Sequence, residues 1–442
     1  MPGYHNDLKQ PVVLQLLMQS IELIREDSDT LIDDYERRNN DELIELVKEV
    51  KEKDQEWRDL KHKGDQLRHK RNKKSEKINE LQKQGEDFDH VVDEVRDIKD
   101  ELEDVEAKHE ALKDEIDSAL MQLPNTMHES VPSGEDEDDN EEIKRWGEPK
   151  KPDYNLKPHN KLAEDLGVAD FKRSAKISGH GFYFLKGDLA LMNQALIRFA
   201  IDQLVRKDFE YHEPPLMMRR DAYETGVSLD DFEDVMYEVE DEDEYMIGTS
   251  EHPMLARYKD ETIEDEDLPI KHCAYSMCFR KEVGSHGIDT KGLFRTHQFN
   301  KVEQVAVCKP ENSWDIHEEF QANAEQLHKQ LELPYRVVNC CTGDLGTFAA
   351  KKYDIETWMP RQESYQETTS ASNFTDYQAR RANISMHRQK TNAYEHPHTL
   401  NATAIATSRI MVAILENYQN EDGSVTIPKV LRPYMYGKER ME

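Results

Sequence analysis

The sequence predicts an α+β protein in which a long helical hairpin precedes a domain of mixed strands and helices. Three observations support this prediction. Apolar residues follow a heptad spacing through much of residues 41–122, an acidic run at 133–142 indicates a mobile linker, and a mixed α and β pattern begins near Tyr154. A chain of 442 residues has room for about two to three domains. We therefore expect an N-terminal domain, a linker and a second domain, with limits at 1–130, 131–153 and 154–442.

The N-terminal domain contains two series of apolar residues, separated by a turn at Gly85. The first series runs less regularly from Leu43 to Leu81. The second alternates spacings of four and three residues, which is typical of a coiled-coil seam. We predict an antiparallel coiled-coil hairpin over about 41–122. The second series consists of Val91, Val95, Ile98, Leu102, Val105, His109, Leu112, Ile116 and Ala119.

A basic cluster lies near the tip of this hairpin. Between Lys61 and Lys77 there are eight Lys and Arg residues, against only Asp65 and Glu76. One explanation is a solvated flank of the coiled coil, and the other is contact with the phosphates of a nucleic acid. We favour phosphate contact, because the cluster opposes the net charge of the chain. The residues proposed to bind a nucleic acid are Arg68, Lys70, Arg71, Lys73 and Lys74.

The net charge of −33 is extreme, yet 36% of the residues are hydrophobic, so disorder is not expected. So acidic a surface repels nucleic acids and membranes overall, and we expect neither a membrane nor DNA as a partner. A high-salt cytoplasm, in which screening weakens self-repulsion, explains this charge best.

The apolar run from Val12 to Ile24 contains polar residues and no cleavage site, and it predicts a helix rather than a signal peptide or membrane span. The five cysteines include no C-x-x-C pair, which indicates a reduced, intracellular protein without a structural zinc site.

The stretch from Cys278 to Val305 is the strongest candidate for a functional site. Two β-prone runs flank a loop containing Gly284, Gly287 and Gly292, which predicts an antiparallel hairpin. Side chains alternate between the two faces of a strand, so one face would carry cations, carboxylates and an aromatic ring. Such a face suits a ligand with anionic, aromatic and cationic groups. Its residues are Arg280, Glu282, Arg295, His297, Phe299, Lys301 and Glu303.

Other patterns in the second domain are weaker. Leu189 to Asp208 has helical periodicity, and Pro214-Pro215 marks the end of a strand or a sheet edge. Thr249-Ser250-Glu251 places a hydroxyl and a carboxylate on one predicted strand face. Cys341 to Gly346 is predicted to be a turn because it lacks phosphate-loop spacing. Ala402 to Leu415 predicts a buried helix with one charge, Arg409, which pairs either with a carboxylate or with a bound phosphate.

Together these stretches resemble the three motifs of class II aminoacyl-tRNA synthetases, and most closely the seryl-tRNA synthetases of the common bacterial type. Motif 1 would be a helix ending at Pro214, motif 2 the hairpin, and motif 3 the stretch 400–415. Further similarity covers almost the whole chain. It includes Thr249-Ser250-Glu251, Gly343 to Gly346, Tyr353 to Pro360, Ser372 to Phe374, Gln378 to Arg381, Thr399 to Asn401 and Ile427 to Met435.

This resemblance implies an antiparallel sheet of six to seven strands, flanked by helices, in a cytoplasmic homodimer. The reaction would join L-serine and ATP into seryl-adenylate and then transfer serine to serine tRNA, or to selenocysteine tRNA where present, releasing AMP and pyrophosphate. The resemblance also implies Mg²⁺ as a cofactor, and neither zinc nor an editing domain.

Site residues follow from the same resemblance. Arg280 would bind the α-phosphate and Arg409 the γ-phosphate, both as catalytic residues. Phe299 would stack on adenine, Glu282 would contact the adenine amino group, and Arg295 would hold the triphosphate. Glu367 and Ser370 would bind Mg²⁺ and phosphate. The residues around serine would be Thr249, Glu251, Arg280, Glu303, Asn401 and Thr403.

Two alternatives remain at this point. One is a related enzyme that adenylates an amino acid and loads it onto a carrier protein, and the basic arm argues against it. The other is a coiled-coil interaction protein with a degenerate catalytic fold. The presence of all three motif arginines, Arg280, Arg295 and Arg409, argues against that alternative.

Overall fold

A computed structural model describes residues 21–227, 235–282 and 292–442 of the chain. The described residues fall into two compact units that divide between Thr126 and Met127. The start of the predicted helix from Val12 and most of the glycine-containing loop of the hairpin lie outside the described residues. In the part described, no helix is both long and apolar enough to cross a membrane.

The described residues of the first unit form three helices, α1 (Ile21–Arg37), α2 (Asp41–Gln84) and α3 (Asp89–Leu120). Asn40 caps α2 by accepting a hydrogen bond from the backbone N–H of Leu43. At the other end Gly85 has a φ of 70°, a left-handed conformation that ends a helix readily in glycine. The predicted helical hairpin is confirmed, with its turn at the predicted glycine.

Helices α2 and α3 run antiparallel, as the ion pairs between them show. Lys53 pairs with Glu115 near the base, and Lys74 pairs with Glu94 near the tip. These pairs are exposed and contribute little stability, on the order of 0–1 kcal/mol each. Beyond Leu67, α2 has no buried residue among those described, so the seam weakens distally as predicted.

The second unit contains the strands β1 to β17 and the helices α4 to α11. The strands are β1 (Glu141–Trp146), β2 (Ala169–Asp170), β3 (Phe184–Leu185), β4 (Glu210–His212), β5 (Met217–Arg219), β6 (Glu244–Met246), β7 (Thr262–Glu264), β8 (Ile270–Phe279), β9 (Gln298–Cys308), β10 (Tyr335–Asn339), β11 (Lys351–Met359), β12 (Ser364–Asn373), β13 (Ser385–Arg388), β14 (Ala393–Glu395), β15 (His398–Ala406), β16 (Val425–Thr426) and β17 (Arg440–Met441). The helices are α4 (His159–Asp165), α5 (Phe171–Ser178), α6 (Gly187–Val205), α7 (Arg220–Tyr223), α8 (Glu251–Ala256), α9 (Ser313–Gln330), α10 (Tyr377–Arg381) and α11 (Thr407–Asn417), with 3₁₀ turns at Glu137–Asp139, Asp265–Asp267, Pro310–Asn312 and Lys429–Met435.

The largest sheet in the described part of the chain has eight strands, in the order β1-β10-β11-β12-β15-β9-β8-β4. All neighbouring pairs are antiparallel except β4 and β8, which are parallel. The prediction of six to seven antiparallel strands is therefore wrong in two respects. The sheet has eight strands, and one neighbouring pair is parallel. Strand β4 joins the edge in parallel, and the predicted motif 1 helix ends at Val205, before β4 rather than at Pro214. The double proline follows an edge strand, as predicted.

The edge strand β1 comes from the stretch that was predicted to be a mobile acidic linker. It pairs with β10, and the residues before it bond to the turn at 341–346. The amide of Asn140 donates to Asp344 at 2.9 Å, and its oxygen accepts from the backbone N–H of Cys341 at 2.8 Å. The prediction of a mobile linker is wrong here, because backbone pairing and these amide contacts outweigh the high local charge. The predicted turn at Cys341 to Gly346 is confirmed.

Replacing Gly343 with alanine is expected to destabilise this unit. A Cβ atom at Gly343 would lie 2.0 Å from the carbonyl oxygen of Glu135, and relieving such a clash costs about 3 kcal/mol. Thermal unfolding followed by circular dichroism would measure the loss. Gly64→Ala is the control, because its added Cβ meets nothing closer than 3.8 Å and the change favours a helix. Wild-type stability of Gly343→Ala would show that residues 133–140 are not docked.

Helices α6, α9 and α11 pack against the large sheet and bury an apolar core. All five cysteines are buried free thiols. The strands β8, β9, β12 and β15 are thereby held in fixed register, and they carry most of the residues described next.

Candidate active site

Two adjoining cavities, of about 570 and 160 Å³, lie over the centre of the large sheet. They share several lining residues, so they form one continuous site. Every residue predicted to contact ATP or serine lines one of them, except Glu303, which is fully buried beneath. The lining residues from the predictions are Thr249, Glu251, Arg280, Glu282, Arg295, Phe299, Glu367, Ser370, Asn401, Thr403 and Arg409.

The predicted hairpin is confirmed as strands β8 and β9, whose register pairs Cys278 with Phe299. Strand alternation places Phe299, Lys301 and Glu303 on one face. Arg280 follows the last residue of β8 and lies over the ring of Phe299, with 5.4 Å between the guanidinium carbon and the ring centroid. The guanidinium Nε also donates to the carbonyl oxygen of Gly248 at 3.4 Å. An arginine and an aromatic ring therefore border the same cavity.

The alternation fails beyond the strand ends. Glu282 has a φ of 49°, and its carboxylate lies 3.5 Å from a guanidinium nitrogen of Arg295. His297 does not line the cavities. Its ring stacks on Phe182, and its Nδ1 lies 2.7 Å from the hydroxyl of Tyr237. The prediction that His297 shares the functional face is wrong, because the chain is no longer in regular strand geometry there.

Thr249, Ser250 and Glu251 do not form a strand, contrary to prediction. Glu251 begins α8, and Pro253 lies in the first turn, where its missing N–H is tolerated. Thr249 and Glu251 still reach the same cavity, because the helix starts at its edge.

A buried cluster of polar groups forms the floor of the larger cavity. Glu251 accepts from the amide of Gln378 at 3.0 Å and also from the amide of Asn401. The same Asn401 amide donates to Glu303 at 3.1 Å, and Lys301 pairs with Glu303 at 2.8 Å. Glu303 thus pairs with a buried cation, whereas the Glu251 carboxylate accepts hydrogen bonds from two neutral amides.

These surroundings shift the acidities of the cluster. Burial, together with the charge of Glu303, raises the pKa of Glu251 to about 7. Burial likewise raises the pKa of Glu303, although Lys301 opposes the change. Burial and the charges of Lys301 and Arg280 lower the pKa of the neighbouring His252 to about 3, so His252 is neutral.

The smaller cavity is bounded by a second charged cluster. Arg409 donates to the Glu367 carboxylate at 3.0 Å and to its backbone carbonyl at 2.8 Å, and it lies over the ring of Phe294. The charges of Arg409 and Lys352 hold the pKa of Glu367 below its usual range. Of the two explanations for Arg409, the ion pair is present, and the arginine also faces the cavity that would receive a phosphate.

Arg409 lies on α11, which is shorter than predicted. The stretch from Ala402 was predicted to be one helix, but β15 continues to Ala406 and α11 begins at Thr407. A short apolar run cannot be divided between strand and helix by periodicity alone, which explains the error.

Three basic residues that line the cavities were given no role from the sequence. Lys301 belonged to the alternating face, and its pairing with Glu303 could have been predicted from their spacing of two. His252 adjoins the Thr249–Glu251 triplet. No sequence pattern indicated a role for Lys352, because this residue reaches the cavity only through the pairing of β11 with β12.

The residues predicted to bind a nucleic acid lie on α2, in the first unit. Arg68 pairs with Asp65 and Glu106, and Lys74 pairs with Glu94. Lys70 and Lys73 are exposed, and Arg71 is half-buried.

Comparison with known proteins decides the family. The family described as "tRNA synthetase class II core domain (G, H, P, S and T)" matches residues 237–418, and "Seryl-tRNA synthetase N-terminal domain" matches residues 18–127. The serine–tRNA ligase of Methanoregula boonei is 52% identical, over 96% of this chain and 100% of its own length. The chain belongs to the seryl-tRNA synthetase family.

Solved structures agree with this assignment. The crystal structure of seryl-tRNA synthetase from Pyrococcus horikoshii complexed with ATP has a TM-score of 0.92 at 46% identity, covering 96% of this chain and 99% of that one. A cytoplasmic serine–tRNA ligase from Naegleria fowleri in complex with AMP has a TM-score of 0.89 at 32% identity, covering 96% and 98%.

Family membership confirms the predicted class II fold with an N-terminal helical arm, and the predicted activity of an ATP-dependent serine–tRNA ligase. A carrier-loading enzyme and a non-enzymatic interaction protein are both set aside. Similar serine–tRNA ligases come from archaea, among them those of Methanoregula boonei and Pyrococcus horikoshii. The bacterial type and the high-salt habitat stay predictions.

Proposed function

We propose that this synthetase forms seryl-adenylate in the two adjoining cavities and then transfers serine to the terminal ribose of serine tRNA. The observation that carries this proposal is the position of Arg280. Its guanidinium stacks on Phe299 and borders the cavity floored by Glu251 and Asn401. One arginine can therefore contact the α-phosphate while adenine and serine occupy opposite sides of it. No protein nucleophile or base is needed for this attack, only placement and nearby cations.

Serine is proposed to bind in the larger cavity, among Thr249, Glu251, Glu303, Asn401 and Thr403. Glu303 already pairs with Lys301, so Glu251 is the carboxylate best placed to attract the ammonium group. Alanine would leave buried polar groups without a partner, a loss that discriminates strongly. Exclusion of threonine is worth only about 1–3 kcal/mol per methyl group.

ATP is proposed to bind across both cavities, with adenine on Phe299 and its amino group at Glu282. Arg280, Arg295 and Arg409 would hold the phosphates, and a guanidinium suits phosphate oxygens in bidentate geometry. Mg²⁺ would be held by Glu367 and Ser370, and it would neutralise charge on the phosphates. Both residues offer oxygen atoms to the smaller cavity, and the low pKa of Glu367 keeps that carboxylate ionised, which suits a hard cation.

The acceptor is proposed to be serine tRNA, and selenocysteine tRNA where present, held by the basic cluster of α2. We further propose a cytoplasmic homodimer of the zinc-independent, bacterial type that works at high salt. The test of adenylation is serine-dependent exchange of pyrophosphate into ATP, in molar KCl. Exchange with serine and little with alanine or threonine is expected. Absence of exchange in folded protein would contradict the proposed adenylation.

The exchange reaction should depend on pH through Glu251. Because its pKa is about 7, the carboxyl gains a proton and loses its charge as the pH falls through that value. A neutral carboxyl attracts the serine ammonium less, so kcat/KM for serine is expected to fall by up to about tenfold per pH unit below about pH 7. Glu251→Gln cannot ionise, and its profile should be lower and flat in this range.

Glu311→Gln is the control for this pH effect. Glu311 lies outside both cavities, and its hydrogen bond to Arg388 lowers its pKa to about 2, so it stays ionised throughout. The profile of this variant should match that of wild type. A wild-type profile that is already flat from about pH 5.5 to 8 would contradict the assignment of Glu251.

A further inference from the structure

Two histidines and a carboxylate meet at the far edge of the large sheet, outside the residues that line the two cavities. Glu210 and His212 are two apart on the edge strand β4, so their side chains leave the same face. The parallel register places Glu210 beside His272 on β8. We name these three residues the edge cluster.

The three side chains of the edge cluster converge on one point. The His212 Nε2 lies 2.9 Å from a Glu210 carboxylate oxygen, and the His272 Nδ1 lies 3.4 Å from the same oxygen. One ligand atom from each residue lies within 4.8 Å of the others. Nitrogen and oxygen ligands bound at about 2.0–2.2 Å to one tetrahedral ion lie roughly 3.3–3.6 Å apart. The separation of 3.4 Å between His272 and Glu210 matches this geometry, and that of 2.9 Å between His212 and Glu210 is close to it.

His272 supplies the observation that points to a ligand. It is 2% exposed, and its Nδ1 has no hydrogen-bond partner among the residues that the structure describes. Its other nitrogen, Nε2, lies 2.6 Å from the hydroxyl of Tyr258. If Nε2 carries the proton and donates it to Tyr258, Nδ1 presents a bare lone pair towards Glu210. Metal-bound histidines are typically oriented in this way by a partner on the second nitrogen.

We propose that the edge cluster binds a divalent transition metal ion, zinc in the first instance. Two imidazoles and one carboxylate suit Zn²⁺ better than Mg²⁺ or Ca²⁺, which prefer oxygen ligands. Three protein ligands leave a fourth position for water. In the single chain the Glu210 side chain is 69% exposed, which leaves room beside it for an ion and its water ligand. The absence of a structural zinc site was predicted from cysteine spacing. That spacing carries no information about a site built from histidines and a carboxylate.

Arg257 opposes binding in the present arrangement. Its Nη1 lies 3.4 Å from Nδ1 of His212 and would donate to it, which leaves the proton on the Nε2 that must bind the ion. The ion therefore has to displace this exposed guanidinium, whose positive charge also repels it. Arg257→Ala is expected to tighten binding, a direction that simple loss of packing would not produce.

Zinc binding is tested on the full, untagged chain after treatment with a chelator. Isothermal titration with Zn²⁺ would be run in excess Mg²⁺, which saturates the many surface carboxylates that bind through oxygen. We expect one ion per chain and a rise in the unfolding temperature with Zn²⁺, because the ion binds the folded state. Co²⁺ as a second probe should give the visible absorption of a tetrahedral nitrogen and oxygen site.

Variants of the two ligands on the edge strand β4 keep the test interpretable if His272→Ala does not fold. His212→Ala and Glu210→Gln are each expected to lower the affinity for Zn²⁺ by about 100-fold or more, and Tyr258→Phe by about tenfold. His387→Ala is the matched control, because His387 pairs with Glu264 at 2.9 Å but is not part of a three-residue cluster among the described residues.

Two results would overturn the proposal. One is the absence of stoichiometric Zn²⁺ binding to wild type in excess Mg²⁺. The other is wild-type affinity in both His212→Ala and Glu210→Gln, which would place the bound ion elsewhere.

Discussion

Arg280→Ala is expected to lower the rate of serine-dependent ATP–pyrophosphate exchange by about 10³-fold or more. The guanidinium lies over Phe299 and borders both cavities, so its loss removes the cation proposed for the α-phosphate. Charge accumulates on that phosphate in the transition state, and the effect should therefore fall on kcat more than on KM for serine. Arg280→Lys should rescue little, because an ammonium group cannot bind two oxygens in one plane.

Arg409→Ala is expected to lower exchange strongly as well, and it leaves the carboxylate of Glu367 without its nearest cation. Arg173→Ala is the control for both variants. Arg173 is exposed on α5 and pairs with Asp170, outside both cavities. Circular dichroism would establish that each variant is folded. Wild-type exchange in folded Arg280→Ala would mean that the ATP site lies elsewhere.

Replacing Lys70, Arg71, Lys73 and Lys74 together with glutamine is expected to weaken tRNA charging while leaving ATP–pyrophosphate exchange unchanged. These residues lie on the helical arm, whereas exchange depends on the two cavities of the second unit. If each cation contacts one phosphate, the slope of log K against log salt concentration for tRNA should fall by about three to four. Filter binding across a salt series, with charging assays alongside, would measure both effects.

The other helix of the arm offers a control with the same change of charge. On α3, Arg96, Lys99 and Lys108 are exposed and Lys113 is half-buried. Their replacement with glutamine should leave tRNA affinity nearly unchanged. Equal losses in the two quadruple variants would indicate a general effect of charge rather than a binding surface. A fall in exchange that matches the fall in charging would contradict the assignment of the arm.

For the hairpin of β8 and β9, the sequence predicted which side chains share a face within the strand but not beyond its end. Alternation predicted that Phe299, Lys301 and Glu303 share a face, because strand geometry is regular between Gln298 and Cys308. It failed for His297, one residue before the strand, where the ring turns towards Phe182 and Tyr237. Ligand identities came only from resemblance to a family, since periodicity describes a face and not what binds to it.

The wrong predictions share a physical cause. Composition suggested a mobile linker at 133–142, yet pairing with β10 and the contacts of Asn140 order its end. Local pattern suggested one helix from Ala402, yet pairing with β9 keeps the chain in a strand until Ala406. In both places hydrogen bonds to distant residues overrode the local preference, and such bonds cannot be read from neighbouring residues.

The sequence by itself determined the helical arm, its turn at Gly85, the hairpin and the identities of the motif arginines, because each depends on local spacing or on a residue type. Only the tertiary structure decided which of the two carboxylates pairs with a buried cation, and that burial raises the pKa of both. Glu251 and Glu303 are 52 positions apart in the chain, and they meet through Asn401 on a third element. Burial sets their acidities, and burial belongs to the folded chain as a whole.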